Sequence, residues 1–324
     1  MNKRQNNGLT VVDLFCGAGV GAVGLKQAGY TIVDAIDNKK YAVDTYNQNI
    51  GNHARLADVR KLTGSDIMDA DLIVGGFPCT PFSEAGSGKG ELDLKNGDLG
   101  AHFYRLIREK KPKAFIVENV KGMTYKKHEK FFEWLVASFS DIGYTVQWKL
   151  MNCYDYGVPQ ERERVFIVGI RNDVEGKFEF PDKVPYSERK TLKDAIGDLP
   201  TPHKDNGIKN HNTYYNGGFS SRYLSRNRQR QWDEPSFTIV ATARQLPLHP
   251  SPSNYDIRKM NDYDCDPPRR FTVRECLRIQ SVPDWFYFDD SIKLDKQYER
   301  CSGIPSLIAY KLGIQVEKAL NFKN

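Results

Sequence analysis

No stretch of the 324-residue chain approaches the roughly 18 consecutive apolar residues of a membrane-spanning helix, and the opening Met1 to Thr10 is polar with no apolar signal core. These absences predict a protein that avoids membranes and stays in the cytoplasm. Cysteine is sparse and scattered: Cys16, Cys79, Cys153, Cys265, Cys276 and Cys301 form no C-x-x-C pair and no Cys/His grouping at zinc-ligand spacing. A disulfide scaffold and a structural metal site are therefore set aside, and no metal is expected. Neither sign of charge dominates, since 47 Lys and Arg against 41 Asp and Glu leave +6. That surplus permits an anionic partner without requiring one. Internal repeats and low-complexity tracts are missing as well. What is present is 40% hydrophobic and 12% aromatic residues, enough to bury a sizeable core.

Short apolar runs at residues 11–15, 31–36, 71–74, 114–117 and 165–170, bounded by Gly, Asp or Pro, read as buried strands. Helical patterns lie between them. Phe132, Leu135, Val136, Phe139 and Ile142 share one face, and Phe103, Leu106 and Ile107 mark another. This alternation predicts an α/β fold: a doubly wound, mostly parallel Rossmann-like sheet with helices on both faces. From about residue 181 to 290 the texture turns to Pro, Asn, Arg, Ser and Tyr, which predicts a smaller, irregular second domain. Helical spacing returns in Ile308, Leu312, Val316 and Leu320. The first domain is accordingly expected to hold residues 1–180 and 291–324.

Three segments carry chemistry. The first strand runs into Cys16-Gly17-Ala18-Gly19-Val20-Gly21, and glycines at a strand-to-helix turn let the backbone approach a ligand at the helix N-terminus. An acidic residue about 20 positions later should hold ribose hydroxyls, and Asp37 follows Gly17 by 20. Asp58, where a third strand would end, suits an adenine amino group. The loop alone does not choose among NAD, FAD and S-adenosylmethionine. After residues 71–74 comes Gly75-Gly76-Phe77-Pro78-Cys79-Thr80-Pro81-Phe82-Ser83, which puts a thiol on a loop at the carboxyl end of a strand, a nucleophile's position. Glu118 closes the apolar run Ile116-Val117-Glu118, where it faces desolvation, and a pKa raised towards the general-acid range, unless something pairs with it. Arg162 and Arg164 lead into the strand at 165–170, at the same sheet edge. Together they read as a clamp for an anion and a carbonyl.

In this order, Asp13-Leu14-Phe15-Cys16-Gly17-Ala18-Gly19, the Gly75 to Ser83 segment, Val117-Glu118-Asn119-Val120, Gln160 to Arg164, and Arg274-Glu275-Cys276-Leu277-Arg278-Ile279-Gln280 with Pro283-Asp284 resemble the DNA (cytosine-5) methyltransferases of bacterial restriction-modification systems. The resemblance spans most of the chain. It implies S-adenosylmethionine as methyl donor, Cys79 as the nucleophile that adds to cytosine C6, and Glu118 on N3 and the exocyclic amine. It further implies Arg164 on the O2 side with Arg162 in support, and a target nucleotide drawn out of the stack. By the same resemblance Phe15, Gly17, Gly19, Pro78 and Leu99 line the cofactor site, with Asp37 on the ribose and Asp58 and Val59 at the adenine. Asn38 stands where many relatives place an aromatic. Gly303-Ile304-Pro305-Ser306-Leu307 resembles a shortened form of a family motif that usually carries an Asn.

Between Ser220 and Gln245, Arg222, Arg226, Arg228, Arg230 and Arg244 face only Asp233 and Glu234, a balance of 5 − 2 = +3, with Tyr223, Trp232 and Phe237 interleaved. Arginine forks pair bidentately with guanine O6 and N7, so this composition suits a G-rich duplex read in the major groove. These arginines, with Gln245 and Ser83, are the expected DNA contacts. The segment looks most like those of GGCC-methylating members. The expectation is a monomeric DNA cytosine-C5 methyltransferase serving beside a cognate restriction endonuclease. An RNA cytosine methyltransferase and a catalytically silent DNA-binding relative are the rival readings.

Overall fold

In the computed structural model, residues 4–77, 99–203 and 206–322 are described, and they form two compact units. The first comprises residues 1–152, 163–182 and 308–324. Its frame is β1 (Thr10–Leu14), α1 (Val20–Gln27), β2 (Thr31–Asp37), α2 (Lys40–Asn49), β3 (Ala54–Leu56), β4 (Leu72–Gly75), α3 (Leu99–Lys110), β5 (Ala114–Val120), α4 (Glu129–Asp141), β6 (Tyr144–Asn152) and β7 (Glu163–Arg171). The strands form one sheet in the order β3-β2-β1-β4-β5-β7-β6. Neighbours pair in parallel from β3 to β5, while β7 runs antiparallel to both β5 and β6. The doubly wound, mostly parallel sheet is thus present, with one reversed strand.

Helices cover both faces for the reason their spacing gave. α3 buries Phe103, Leu106 and Ile107 and α4 buries Phe132, Leu135 and Phe139, all in one cluster with Val12, Leu14, Phe115, Val117, Val165 and Ile167 of the sheet. On the opposite face α1 buries Val20, Val23 and Leu25. The C-terminal helix Ser306–Leu320 closes that side, with the Tyr30 hydroxyl donating to the Gly313 carbonyl at 2.9 Å. β6 has no counterpart among the expected strands. It is an edge strand paired only to β7, and Trp148 is 48% exposed, so its apolar alternation is weak.

The second unit comprises residues 153–162 and 183–307. Among its described residues, strand pairing is confined to isolated bridges such as Gln160 with Ser236 and Gln229 with Leu248. Short helices punctuate it: α5 (Leu192–Ile196), α6 (Ser221–Leu224), α7 (Val273–Ile279) and α8 (Leu294–Arg300). Its limits differ from the expected 181 and 290. Helix α8 stays with this unit because the Tyr298 hydroxyl donates to the Phe271 carbonyl at 2.8 Å and Asn210 Nδ2 to Gln297 Oε1 at 3.2 Å. Residues 153–162 join it through Gln160, whose Oε1 accepts the Ile239 amide at 2.8 Å.

Candidate active site

The sheet changes direction of winding between β1 and β4, and ligands in such sheets bind beyond the carboxyl ends of the strands that flank this point. At the end of β1 the backbone enters the left-handed region three times, at Phe15 (φ 60), Gly17 (φ 55) and Gly19 (φ 94). A Cβ on Gly17 would meet nothing within 4 Å, whereas one on Gly19 would come within 2.8 Å of Ile50 Cγ1 and 3.0 Å of the Tyr46 ring. Packing therefore demands Gly19, and the space over Gly17 stays open. Helix α1 then starts at Val20 without a side-chain hydrogen bond from its N-cap, Gly19, and its positive end faces the carboxyl edge of the sheet. Asp37 fixes the loop from the next strand, its Oδ2 accepting the Gly17 amide at 3.0 Å and its Oδ1 the Lys39 amide at 2.9 Å. Asp13 lies buried behind this turn. Burial, reinforced by the neighbouring Asp37, pushes its carboxyl up to about 8.

On the other side of the switch point, β4 ends in Gly75 and leads to Gly76-Phe77. A Cβ on Gly76 would lie 3.3 Å from Glu118 Oε2, so only glycine lets that backbone sit over the carboxylate without crowding it. Glu118 pairs with Arg164, whose Nε is 3.0 Å from Oε1. The register explains the meeting: Val120 stands opposite Arg164 and Glu118 opposite Phe166, which makes Glu118 and Arg164 diagonal neighbours on one face. The pairing partner whose absence would have left Glu118 exposed to the full cost of desolvation is thus supplied by β7. Asn119, on the opposite face and buried, donates from Nδ2 to the Phe77 carbonyl at 3.4 Å. It tethers the residue that precedes Pro78.

A model of the C-5 cytosine-specific DNA methylase family matches residues 9–316. The chain belongs to that family. Type II methyltransferase M.MthTI of Methanothermobacter thermautotrophicus is 42% identical over 96% of this chain and 98% of its own length. M.NgoPII of Neisseria gonorrhoeae, also a Type II methyltransferase, is 36% identical over 97% of each. Among solved structures, the S. pombe Dnmt2 methyltransferase superposes with a TM-score of 0.68 at 20% identity, covering 97% of this chain and all of that one, and shows the shared fold. The protein is a DNA cytosine methyltransferase, and its cofactor is S-adenosylmethionine. The open space over Gly17, the uncapped α1 and the Asp37 carboxylate fit a nucleoside ligand with a charged tail.

In this methylase the remaining residues expected at the cofactor fall in different settings. Phe15 is half-buried and meets Phe77 edge-on, ring centroids 6.3 Å apart. Asn38 is exposed, and Leu99 begins α3 and packs on the sheet cluster. Asp58 caps a single 3-10 turn, accepting the Arg60 amide at 3.0 Å and the Arg60 guanidinium at 2.6 Å, which together hold its carboxyl below the usual range. Val59 is 4% exposed, with its side chain in the sheet core, so what it offers a ligand is backbone. Pro78, Cys79 and Ser83 lie outside the described residues.

The two arginines part company. Arg164 stays with Glu118 in the first unit. Arg162 belongs to the second, 3% exposed, donating to the Ile239 carbonyl at 3.1 Å and the Ser302 carbonyl at 2.6 Å. Beside it in that unit, Gln160 Nε2 donates to Gln280 Oε1 at 2.8 Å, and Gln280 in turn donates to the Cys301 carbonyl at 2.7 Å. Nothing in the spacing of residues 120 positions apart announces this network.

The arginines expected to contact DNA also divide. Arg222, Arg226 and Arg244 are exposed. Arg228 lies 4.6 Å over the Tyr223 ring and donates to Gln245 Oε1 at 3.0 Å. Arg230 pairs with Glu161 and with Glu234 (2.9 Å) and lies 4.2 Å over Phe237. Gln245 and Arg244 border a cleft of about 480 Å³ with Tyr215, Phe219 and Ser220. Arg270, which composition does not single out, sits beneath it. It is 2% exposed, donates to the Gly217 carbonyl at 2.8 Å, and lies between 4.5 and 5.1 Å from the Phe219, Tyr223 and Tyr215 rings.

Proposed function

We propose that this methylase modifies C5 of a flipped-out cytosine in a short GC-rich duplex site, GGCC or a close relative, through a covalent adduct between Cys79 and C6. C5 of cytosine is a poor nucleophile. Addition of the Cys79 thiolate to C6 places electron density on C5, and Glu118 offsets the developing charge by binding N3 and the exocyclic amine. Arg164, in contact with Glu118, holds the O2 side, and Asn119 steadies the backbone that enters the Cys79 loop. When bound against Gly17 and Asp37, S-adenosylmethionine supplies the methyl group as an electrophilic sulfonium. Loss of the C5 proton to water then expels the Cys79 thiolate and restores the ring.

The observation that carries this reading is the Glu118–Arg164 pair, 3.0 Å apart, with Glu118 beside Gly76, which stands three residues before Cys79 in the sequence. Arg222, Arg226 and Arg244 are the first DNA contacts, and Arg228 and Arg230 shape the surface that carries them. The Type II names of the relatives support a restriction-modification setting. We propose a cognate endonuclease as functional partner and a monomeric enzyme. The test is transfer of labelled methyl from S-adenosylmethionine to duplex DNA, followed by bisulfite sequencing. Methylation is expected at one short GC-rich motif and at background in Cys79→Ala, with a stable adduct on 5-fluorocytosine duplex. Undiminished transfer by Cys79→Ala would overturn the mechanism, and preference for RNA would overturn the substrate.

A further inference from the structure

We propose that Arg105, on the outer part of α3, is a positioning residue for cofactor selection: it holds the turn that presents Asp58 to the adenine. The inference rests on the reading that Asp58 and Val59 lie at the adenine. Arg105 reaches across to this turn. Its Nη2 donates to the Leu62 carbonyl at 2.6 Å and to the Val59 carbonyl at 3.3 Å. Its Nη1 pairs with Glu109 one helical turn on, at 3.2 Å from Oε1 and 3.3 Å from Oε2. Glu109 Oε2 in turn accepts the Gly64 amide at 2.6 Å.

One ion pair on α3 therefore grips residues 59–64 at three backbone atoms. The Val59 side chain anchors one end of that stretch in the sheet core, and the direction of its carbonyls depends on weaker holds. Its own bonds are short-range: the Lys61 amide to the Asp58 carbonyl at 2.9 Å and the Leu62 amide to the Val59 carbonyl at 3.3 Å. The Val59 carbonyl thus accepts twice, from Leu62 and from Arg105. The Asp58 carboxylate is already engaged by Arg60, which leaves a restricted set of lone pairs for a ligand amine. Their direction follows the backbone. A shift of the turn by a fraction of an ångström would keep the carboxylate near the base yet misalign the acceptor that separates a 6-amino from a 6-oxo purine. Glu109 also explains Gly64, because a Cβ there would stand 2.8 Å from Glu109 Cβ.

The experiment compares binding of S-adenosylhomocysteine with its inosine counterpart, which carries a 6-oxo group in place of the amine, by calorimetry on the full chain. Thermal melting and steady-state kinetics accompany each variant. Wild type is expected to prefer the adenine compound by about tenfold or more, the size of one well-made hydrogen bond to a charged acceptor. Asp58→Ala should erase the preference. Arg105→Met should lose most of it, with the loss falling on KM for S-adenosylmethionine rather than on kcat, and Arg105→Lys, a point charge able to satisfy one carbonyl, should fall between. A merely structural Arg105 would lower the melting temperature and weaken both ligands alike. A wild-type ratio in both Arg105 variants, with Asp58→Ala lacking it, overturns the inference and leaves the Asp58 reading standing. A wild-type ratio in Asp58→Ala overturns that reading itself. If Arg105→Met shows no melting transition, Arg105→Lys and Glu109→Gln decide by the same ratio.

Discussion

His249 shows how a single side chain in the second unit sets a pH response. Its Nδ1 accepts the Ser251 amide at 3.1 Å, which leaves the ring proton on Nε2, 3.8 Å from the Glu275 carboxylate. That carboxylate already accepts from Arg269, at 2.6 and 2.7 Å, and from the Thr272 amide at 2.7 Å. Burial, with the Arg269 charge adding to it and Glu275 opposing, lowers the His249 pKa to about 4. The unfolded chain takes up the proton first as pH falls, so the contribution of neutral His249 is complete above the unfolded value near 6.5 and drains away between there and about 4. The full window corresponds to about 3 kcal/mol. Denaturant titrations at pH 7, 6, 5 and 4 should show the wild type losing that much more stability than His249→Asn, whose amide can accept from Ser251 but cannot titrate. Parallel profiles would remove His249 as the cause.

At the scale of elements, the glycine turn after β1 separates two roles that look alike in the sequence. An alanine at Gly17 costs about 1–2 kcal/mol for its left-handed backbone and otherwise meets empty space. An alanine at Gly19 adds a 2.8 Å collision with Ile50 and a 3.0 Å contact with Tyr46, both buried. Gly19→Ala should therefore show the larger fall in melting temperature. Gly17→Ala should melt only slightly early yet bind S-adenosylhomocysteine at least about tenfold more weakly, since its methyl would enter the open space proposed for the cofactor. Equal melting temperatures in the two variants would refute the distinction. The turn itself was legible because glycines cluster directly after an apolar run, although the pattern does not separate a glycine kept for packing from one kept for a ligand. The direction of β7 was not, because an apolar run reads the same forwards and backwards, and β6 was hidden by its exposed edge. Glu118 stood out as a charge closing an apolar strand. Its partner could not be chosen between Arg162 and Arg164 without the register, which sets Arg164 diagonal to Glu118, while Arg162 lies before the paired stretch.

At the scale of the molecule, the limits of the second unit follow from contacts that periodicity does not encode: a helical stretch such as α8 declares its own apolar face without saying which core receives it. Charge is more informative. The surplus of +6 is modest, and the arginines of residues 220–245 divide into three that are exposed and two, Arg228 and Arg230, engaged by Gln245, Glu161 and Glu234. Cations that meet phosphates release counterions and steepen the fall of affinity with salt, by about 0.9 in the log–log slope for each contact. Duplex binding by the Arg222→Ala/Arg226→Ala/Arg244→Ala triple variant should therefore show a slope smaller by up to about 2.7 if all three touch phosphate. An arginine that instead reads a guanine edge gives a different signature, because replacing it by alanine flattens the preference for one base pair. Arg228→Ala should act through Gln245, altering site preference while leaving the salt slope near that of the wild type. Fluorescence anisotropy on cognate and scrambled duplexes across a salt series separates these outcomes. A wild-type slope and a wild-type preference in the triple variant would move the DNA contact away from these arginines altogether.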